Sequence, residues 1–141
     1  MHDIEWLTFG NKAELAHRAA NAVAHVVERA IQARGRAVLA LPGGATPLPA
    51  FRILADHELR WNDVVLIPTD ERLVSDDDPL SNVAAIRTYL GWTGATVVPL
   101  YDGRGGDMKA ASDAADQRLR ALSWPLDLVW LGMGEDGHTA S

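Results

Sequence analysis

Cysteine is absent from the chain, which excludes disulfide scaffolds, thiolate zinc sites and cysteine nucleophiles. Long apolar runs are absent too: the longest are short stretches such as residues 37–42, against the ~18 apolar residues that mark a membrane span. Basic charge is in deficit. Thirteen Lys and Arg face nineteen Asp and Glu, a net charge of −6, so the mean field repels phosphate backbones and acidic lipid. Neither nucleic acid nor a membrane is expected as a partner. An anionic small molecule would need a locally built seat of backbone amides or a few placed cations. The opening Met-His-Asp-Ile-Glu-Trp has no basic segment followed by an apolar core, so it does not read as a secretory signal and a soluble cytoplasmic protein is expected.

What is present is ordinary globular material, 48% hydrophobic and 23% charged over 141 residues, the length of one domain. After an apolar start (Ile4, Trp6, Leu7, Phe9), Asn11 can cap a helix. Leu15, Ala19, Val23, Val26 and Ala30 would form its apolar side, and Gly35 would end it. His17 and His25 fall on or beside its wet face and are assigned no role. Residues 37–41 read as a buried strand running into Pro42-Gly43-Gly44-Ala45-Thr46-Pro47. A second helix follows with Thr46 suited to the N-cap, Pro47 to the first turn, and Leu48, Phe51 and Ala55 facing inward to about His57. Further strands are expected at 64–67, 97–100 and 126–131. Between them fall a helix capped by Ser81 and stopped by Gly91, and one facing inward through Met108, Ala111, Ala115, Leu119 and Leu122. Strands that read as continuous apolar runs and alternate with helices indicate an α/β fold: a mainly parallel, Rossmann-like open sheet with helices on both faces.

Ligands of such sheets sit beyond the carboxyl ends of the strands. Three strand ends carry unusual polar segments: GGATP at 43–47, TDER at 69–72 and GEDGHTAS at 134–141. Gly43 and Gly44 permit a tight turn with outward N–H groups, and the following helix adds its positive end, which together make an anion seat without lysine. A plain strand-to-helix turn with Thr46 as a cap is the alternative. The GxxxxGK[ST] spacing of a Walker loop is missing.

In the second loop Asp70, Glu71 and Arg72 set two carboxylates and a guanidinium at a strand end, where arginine can steady an oxyanion or a phosphate. The run Asp76-Asp77-Asp78 lacks an EF-hand pattern and reads as a solvated acidic loop, so no metal is expected. In the third loop His138 follows Gly137, with Asp136 two residues earlier; an imidazole near neutrality there suits a general base for water. The segment 132–137 also matches GxGxxG, the dinucleotide fingerprint. That element belongs on the first strand of its unit, with an acidic residue ~20 positions further on, and here it comes last in the chain with no such position left. No dinucleotide cofactor is expected.

In order and spacing GGATP, TDER…SN and LGMGEDGHTAS resemble the 6-phosphogluconolactonase family, whose superfamily includes glucosamine-6-phosphate deaminase and, more distantly, ribose-5-phosphate isomerase. The deaminases have tyrosine where this chain has Arg72, and GHIAFNEP where it has Gly137-His138-Thr139-Ala140-Ser141, so both differences favour the lactonase. Two stretches depart from the lactonase pattern. Ser75 and Asp78 stand where proline and histidine are usual, and Ala45 where serine or threonine is usual.

The resemblance implies hydrolysis of 6-phospho-D-glucono-1,5-lactone to 6-phosphogluconate, without metal or cofactor, by a monomer or homodimer. By the same resemblance His138 is the general base and Arg72 stabilises the oxyanion or orients the substrate. Asp70 holds Arg72 or a sugar hydroxyl, and Asp136 orients His138 or shapes its loop. Gly43, Gly44 and Thr46 receive the phosphate, with Gly137 and Thr139 completing the substrate loop. A deaminase or isomerase, or a sugar-phosphate-binding module without chemistry, are the other readings. The family continues past GHTAS into a helix and further strands. Residues 1–141 are therefore expected to be the N-terminal part of one α/β catalytic domain roughly half as long again.

Overall fold

The computed structural model describes residues 3–140; Met1, His2 and Ser141, the last residue of the third motif, lie outside the described residues. Asn11 accepts a hydrogen bond from the Glu14 backbone N–H at 2.8 Å and so caps α1 (Lys12–Arg34), which Gly35 closes. The elements that follow are β1 (Ala37–Leu41), α2 (Leu48–Ala55), β2 (Val64–Pro68), α3 (Asn82–Leu90), β3 (Thr96–Val97), α4 (Met108–Arg120) and β4 (Leu128–Val129). Single 3-10 turns at Trp61–Asp63 and Gly91–Thr93 lead into β2 and follow α3.

All strand pairs are parallel and the sheet order is β3-β2-β1-β4. The chain steps from β1 outward to β2 and β3, then crosses back to place β4 on the other side of β1. The order therefore reverses between β1 and β4. A crevice opens at such a reversal beyond the carboxyl ends of the strands.

Every residue of β1 is buried, which explains its unbroken Ala-Val-Leu-Ala-Leu run: a strand paired on both edges and covered on both faces has no wet position. Ala37, Leu39 and Leu41 join one core with Phe51 and Leu54 of α2, Ile86 and Leu90 of α3, and the inner side of α1. That inner side differs from the expected one. Ala16, Ala20, Val23, Ala24, Val27, Ala30 and Ile31 are buried, whereas Leu15 is 42% exposed. Three alanines at helical spacing let α1 approach its neighbours closely, and in a tight helix contact small side chains displace larger ones.

Four other expectations shift. The helix after the glycine loop begins at Leu48, with Pro47 in the cap position and no side-chain cap bond, so Thr46 does not cap it; it ends at Ala55 instead of His57. The strands expected at 97–100 and 126–131 shrink to two residues each, although Val98, Asp127 and Trp130 extend the pairing by donating to the carbonyls of Leu66, Val38 and Ala40. Each of these strands has a neighbour on one edge alone, which leaves little to hold it straight. α4 has no buried residue, and Met108, expected inside, is 73% exposed. It is held by polar contacts, with Arg118 donating to the Leu100 carbonyl at 3.1 Å and to Asp102 at 2.6 Å. Among the described residues no helix is long and apolar enough to cross a membrane.

Phe51 is fully buried and meets the Trp130 ring edge-on, with centroids 5.6 Å apart. It ties α2 to the segment leaving β4. Phe51→Ala is expected to destabilise the fold by ~3–5 kcal/mol through lost burial and the cavity it leaves. Urea unfolding measures this, and a loss below ~1 kcal/mol would show the contact to be dispensable.

Candidate active site

The three polar segments meet in one cavity of about 300 Å³ at the carboxyl edge of the sheet. Gly43, Gly44 and Thr46 form one wall, Asp70 and Arg72 a second, and His138 with Gly132 and Gly134 a third. These walls leave β1, β2 and β4 respectively, so the cavity straddles the reversal of strand order between β1 and β4. Trp130 also lines it, which carries the Phe51 contact from the core to the cavity wall.

Of the residues singled out in the sequence, Gly43, Gly44, Thr46, Asp70, Arg72 and His138 face this cavity. Asp136, Gly137 and Thr139 are exposed and stand off its wall. Asp136 reaches the site through His138, whose ring Nδ1 lies 2.5 Å from the Asp136 carboxylate. The His138 backbone N–H donates to the same oxygen at 3.3 Å. With Nδ1 engaged, Nε2 is the nitrogen left to exchange a proton with a ligand.

The turn that holds this pair explains its glycines. Gly134 N–H donates to the His138 carbonyl and Gly137 N–H to the Gly134 carbonyl, each at 2.9 Å. A Cβ at position 134 would lie 2.7 Å from both the His138 ring and the Asp136 carboxylate. Gly134 is bare because the imidazole packs over it. Two of the three glycines of the GxGxxG spacing, Gly134 and Gly137, thus build a histidine turn.

Arg72 is exposed, and its guanidinium donates through Nη1 to the Leu80 carbonyl at 2.7 Å and to the Asn82 side-chain oxygen at 3.4 Å. Asp70 accepts from Asn82 Nδ2, at 3.2 Å on its carboxylate and 2.9 Å on its backbone carbonyl. Glu71 turns away from the cavity and accepts from the backbone N–H groups of Asn82 and Val83 at 2.7 and 2.8 Å. It therefore caps α3 alongside Ser81. Sequence reading placed Asn82 at the close of the TDER…SN motif without a role at the site and did not single out Trp130; both are on the cavity wall.

The acidic run that follows is used up locally. Asp76 pairs with Arg87 at 2.8 Å, Asp77 accepts from Ser75, and Asp78 accepts from the Leu80 N–H. Among the described residues no three His, Asp or Glu side chains converge as a metal site would require.

Asp136 titrates below the ordinary aspartate value, first because the His138 side chain hydrogen-bonds its ionised form and second because the His138 backbone N–H does so. A depressed carboxyl favours the folded arrangement above its ordinary value, and this preference is lost as pH falls through the lowered one. In His138→Ala the Asp136 midpoint is expected to rise toward that of a free aspartate. A carbon-detected NMR titration reads it, and an unchanged midpoint would show that the ring does not set it.

The model of a family described as glucosamine-6-phosphate isomerases/6-phosphogluconolactonase matches residues 10–141. A 6-phosphogluconolactonase of Mesorhizobium japonicum is 43% identical over 141 residues, covering 96% of this chain and 58% of its own length. One from Rhizobium meliloti is 42% identical over 136 residues, covering 94% and 58%. The crystal structure of a 6-phosphogluconolactonase from Shewanella baltica OS155 superposes with a TM-score of 0.87 at 34% identity, covering 93% of this chain and 57% of that one. The chain thus spans a little under three fifths of the length of the relatives it matches. It belongs to the glucosamine-6-phosphate isomerase/6-phosphogluconolactonase family.

Proposed function

We propose that the protein is a 6-phosphogluconolactonase, a hydrolase that opens 6-phospho-D-glucono-1,5-lactone to 6-phospho-D-gluconate. The observation that carries this reading is the convergence of a glycine loop at a helix start, an arginine and a histidine–aspartate pair on one cavity. Two relatives more than 40% identical bear the lactonase name, and Arg72 stands where the deaminase pattern has tyrosine. A substrate that carries a phosphate does not cross membranes unaided, so a cytoplasmic setting belongs to the same reading.

In this mechanism the phosphate rests against Gly43, Gly44 and Thr46 at the start of α2, where backbone N–H groups and the helix dipole offset its charge. His138 Nε2 takes a proton from water as the water oxygen bonds to the lactone carbonyl carbon. The carbonyl oxygen becomes an oxyanion within reach of the Arg72 guanidinium. The bond from that carbon to the ring oxygen then breaks as the imidazolium returns its proton to the ring oxygen, leaving a hydroxyl and a carboxylic acid that ionises by releasing a proton to solvent. Asp136 holds the ring through Nδ1 and stabilises the transient positive charge, while Asp70 orients Arg72 or a sugar hydroxyl. Thr139 and Gly137 shape the loop around the substrate. No metal is required, because a lactone is already an activated ester.

His138→Ala is expected to lower kcat by ~10²–10⁴ with a modest change in KM. Arg72→Lys should also lower kcat, by ~10², because a point charge cannot replace a planar fork at an oxyanion. The assay is lactone hydrolysis with the spontaneous rate subtracted, run beside ammonia release from glucosamine 6-phosphate. Wild-type turnover in the His138 variant, or ammonia release without lactone hydrolysis, overturns the reading. Sugar-phosphate binding with no turnover by the wild type would favour a binding module.

A further inference from the structure

Asn82 begins α3 and is 6% exposed, yet it reaches the cavity wall, where it bonds to two residues of the second loop and crowds the first. Its Nδ2 donates to the backbone and carboxylate oxygens of Asp70, and its Oδ1 accepts from Arg72 Nη1. Toward the glycine loop it leaves no room: a Cβ at position 43 would lie 2.0 Å from Asn82 Oδ1 and 2.3 Å from Cγ. Gly44, with a φ of +83°, needs glycine for its backbone, but Gly43 is not among the positive-φ residues. Position 43 is bare because the Asn82 amide fills the space its side chain would take.

An amide suits this place because it donates at one end and accepts at the other, so it satisfies a carboxylate and a guanidinium at once while carrying no charge. A carboxylate of the same shape would present an oxygen to Asp70, and an apolar side chain would make neither bond. Asn82 is itself fixed from below. Glu71 Oε1 accepts from the backbone N–H groups of Asn82 and Arg72, at 2.7 and 2.9 Å, and Oε2 from Val83 N–H and Ser81 Oγ. One carboxylate therefore sets the start of α3 and the backbone of Arg72 relative to each other.

We propose that Asn82 is a positioning residue that sets the distance between the glycine loop and the Asp70–Arg72 pair, with Glu71 holding it in register. The proposal rests on the lactonase reading: it says how the phosphate end of the substrate and its carbonyl are brought to a fixed separation. A displacement of ~1 Å between binding and reacting groups is enough to cost ~10²-fold in rate.

The test compares Asn82→Asp, Asn82→Ala, Gly43→Ala and the Gly43→Ala/Asn82→Ala double variant in the complete chain, reading kcat, KM and Tm. Asn82→Asp keeps the shape and loses the donor to Asp70; it is expected to lower kcat by ~10–10²-fold while KM stays within about threefold, the split expected when alignment is lost and binding is kept. Gly43→Ala alone should lower both kcat/KM and Tm, because its methyl collides with the amide. In the double variant the collision partner is gone, so its activity and Tm should match those of Asn82→Ala alone.

Wild-type kcat in Asn82→Asp overturns the proposal, as do a Gly43→Ala variant that behaves like wild type and losses that simply add in the double variant. A wild type that does not hydrolyse the lactone overturns the functional reading instead. The interlock of positions 43 and 82 is then judged on Tm, where additive losses reject it.

Discussion

The structure depends on β1 being bonded along both edges and buried on both faces. Its pairing with β2 runs through all five residues, and with β4 through Leu39 and Ala40. A strand in that position has to be apolar throughout and of small-to-medium size, as Ala-Val-Leu-Ala-Leu is. Its carboxyl end then points a flexible glycine turn into the gap where the sheet order reverses. The cavity, the placement of the glycine loop between the other two loops, and the use of α2 as the anion-facing helix of the proposed mechanism all follow from that one strand.

How much of this could be read from the sequence depends on the range of the interaction involved. β1, the Asn11 and Ser81 caps and the end of α1 at Gly35 are signalled within a few residues, and the structure has them as read. The three polar loops were legible as strand ends, and their convergence followed from the parallel sheet. The misses have longer reach. The inward face of α1 turns toward alanines because its neighbours lie close, which no periodicity within α1 records. Glu71 caps a helix that starts eleven positions later, and Asn82 fits against a glycine 39 positions earlier. A local reading sees Glu71 as one charge in a solvated triplet and Asn82 as the residue after a cap. Thr46 failed as a cap for a local reason: Pro47 and Pro49 bring their own backbone preference, and the helix starts one residue later than a threonine cap would place it.

The net charge of −6 takes on a different meaning once the carboxylates are located. Asp76 pairs with Arg87, Asp102 with Arg104 and Arg118, Asp113 with Lys109 and Asp116 with Arg120. Most of these pairs are exposed, and pairs of that kind contribute little to stability each. Their effect is to neutralise acidic charge near where it stands. Arg72 is different. Its guanidinium bonds to a carbonyl and an amide oxygen, neutral acceptors that orient the fork. An acidic chain can thus present a positive group to an anion at one chosen place.

The two reacting groups of the proposed mechanism are held by different means, and this places a demand on the sheet. Arg72 is fastened through the buried Asn82 and the Glu71 cap, a network of short bonds anchored in α3. Among the described residues His138 is fastened within its own turn, to Gly134 and Asp136, and its side chain is 70% exposed. Nothing in that turn refers to Arg72. The separation between imidazole and guanidinium is therefore set by whatever fixes the start of the third loop. That is the short pairing of β4 with β1, extended by the Asp127 and Trp130 N–H groups, and the edge-on contact of Trp130 with Phe51. At the opposite end of β4 the Asp127 carboxylate accepts from Val38 N–H at 2.7 Å and pairs with Arg34 of α1. The register of β4 is thereby pinned at its start by charge and at its end by an aromatic pair. A two-residue strand needs both, because two ladder positions alone would let it slip, and a slip by one residue would turn Trp130 out of the core and carry the histidine turn with it.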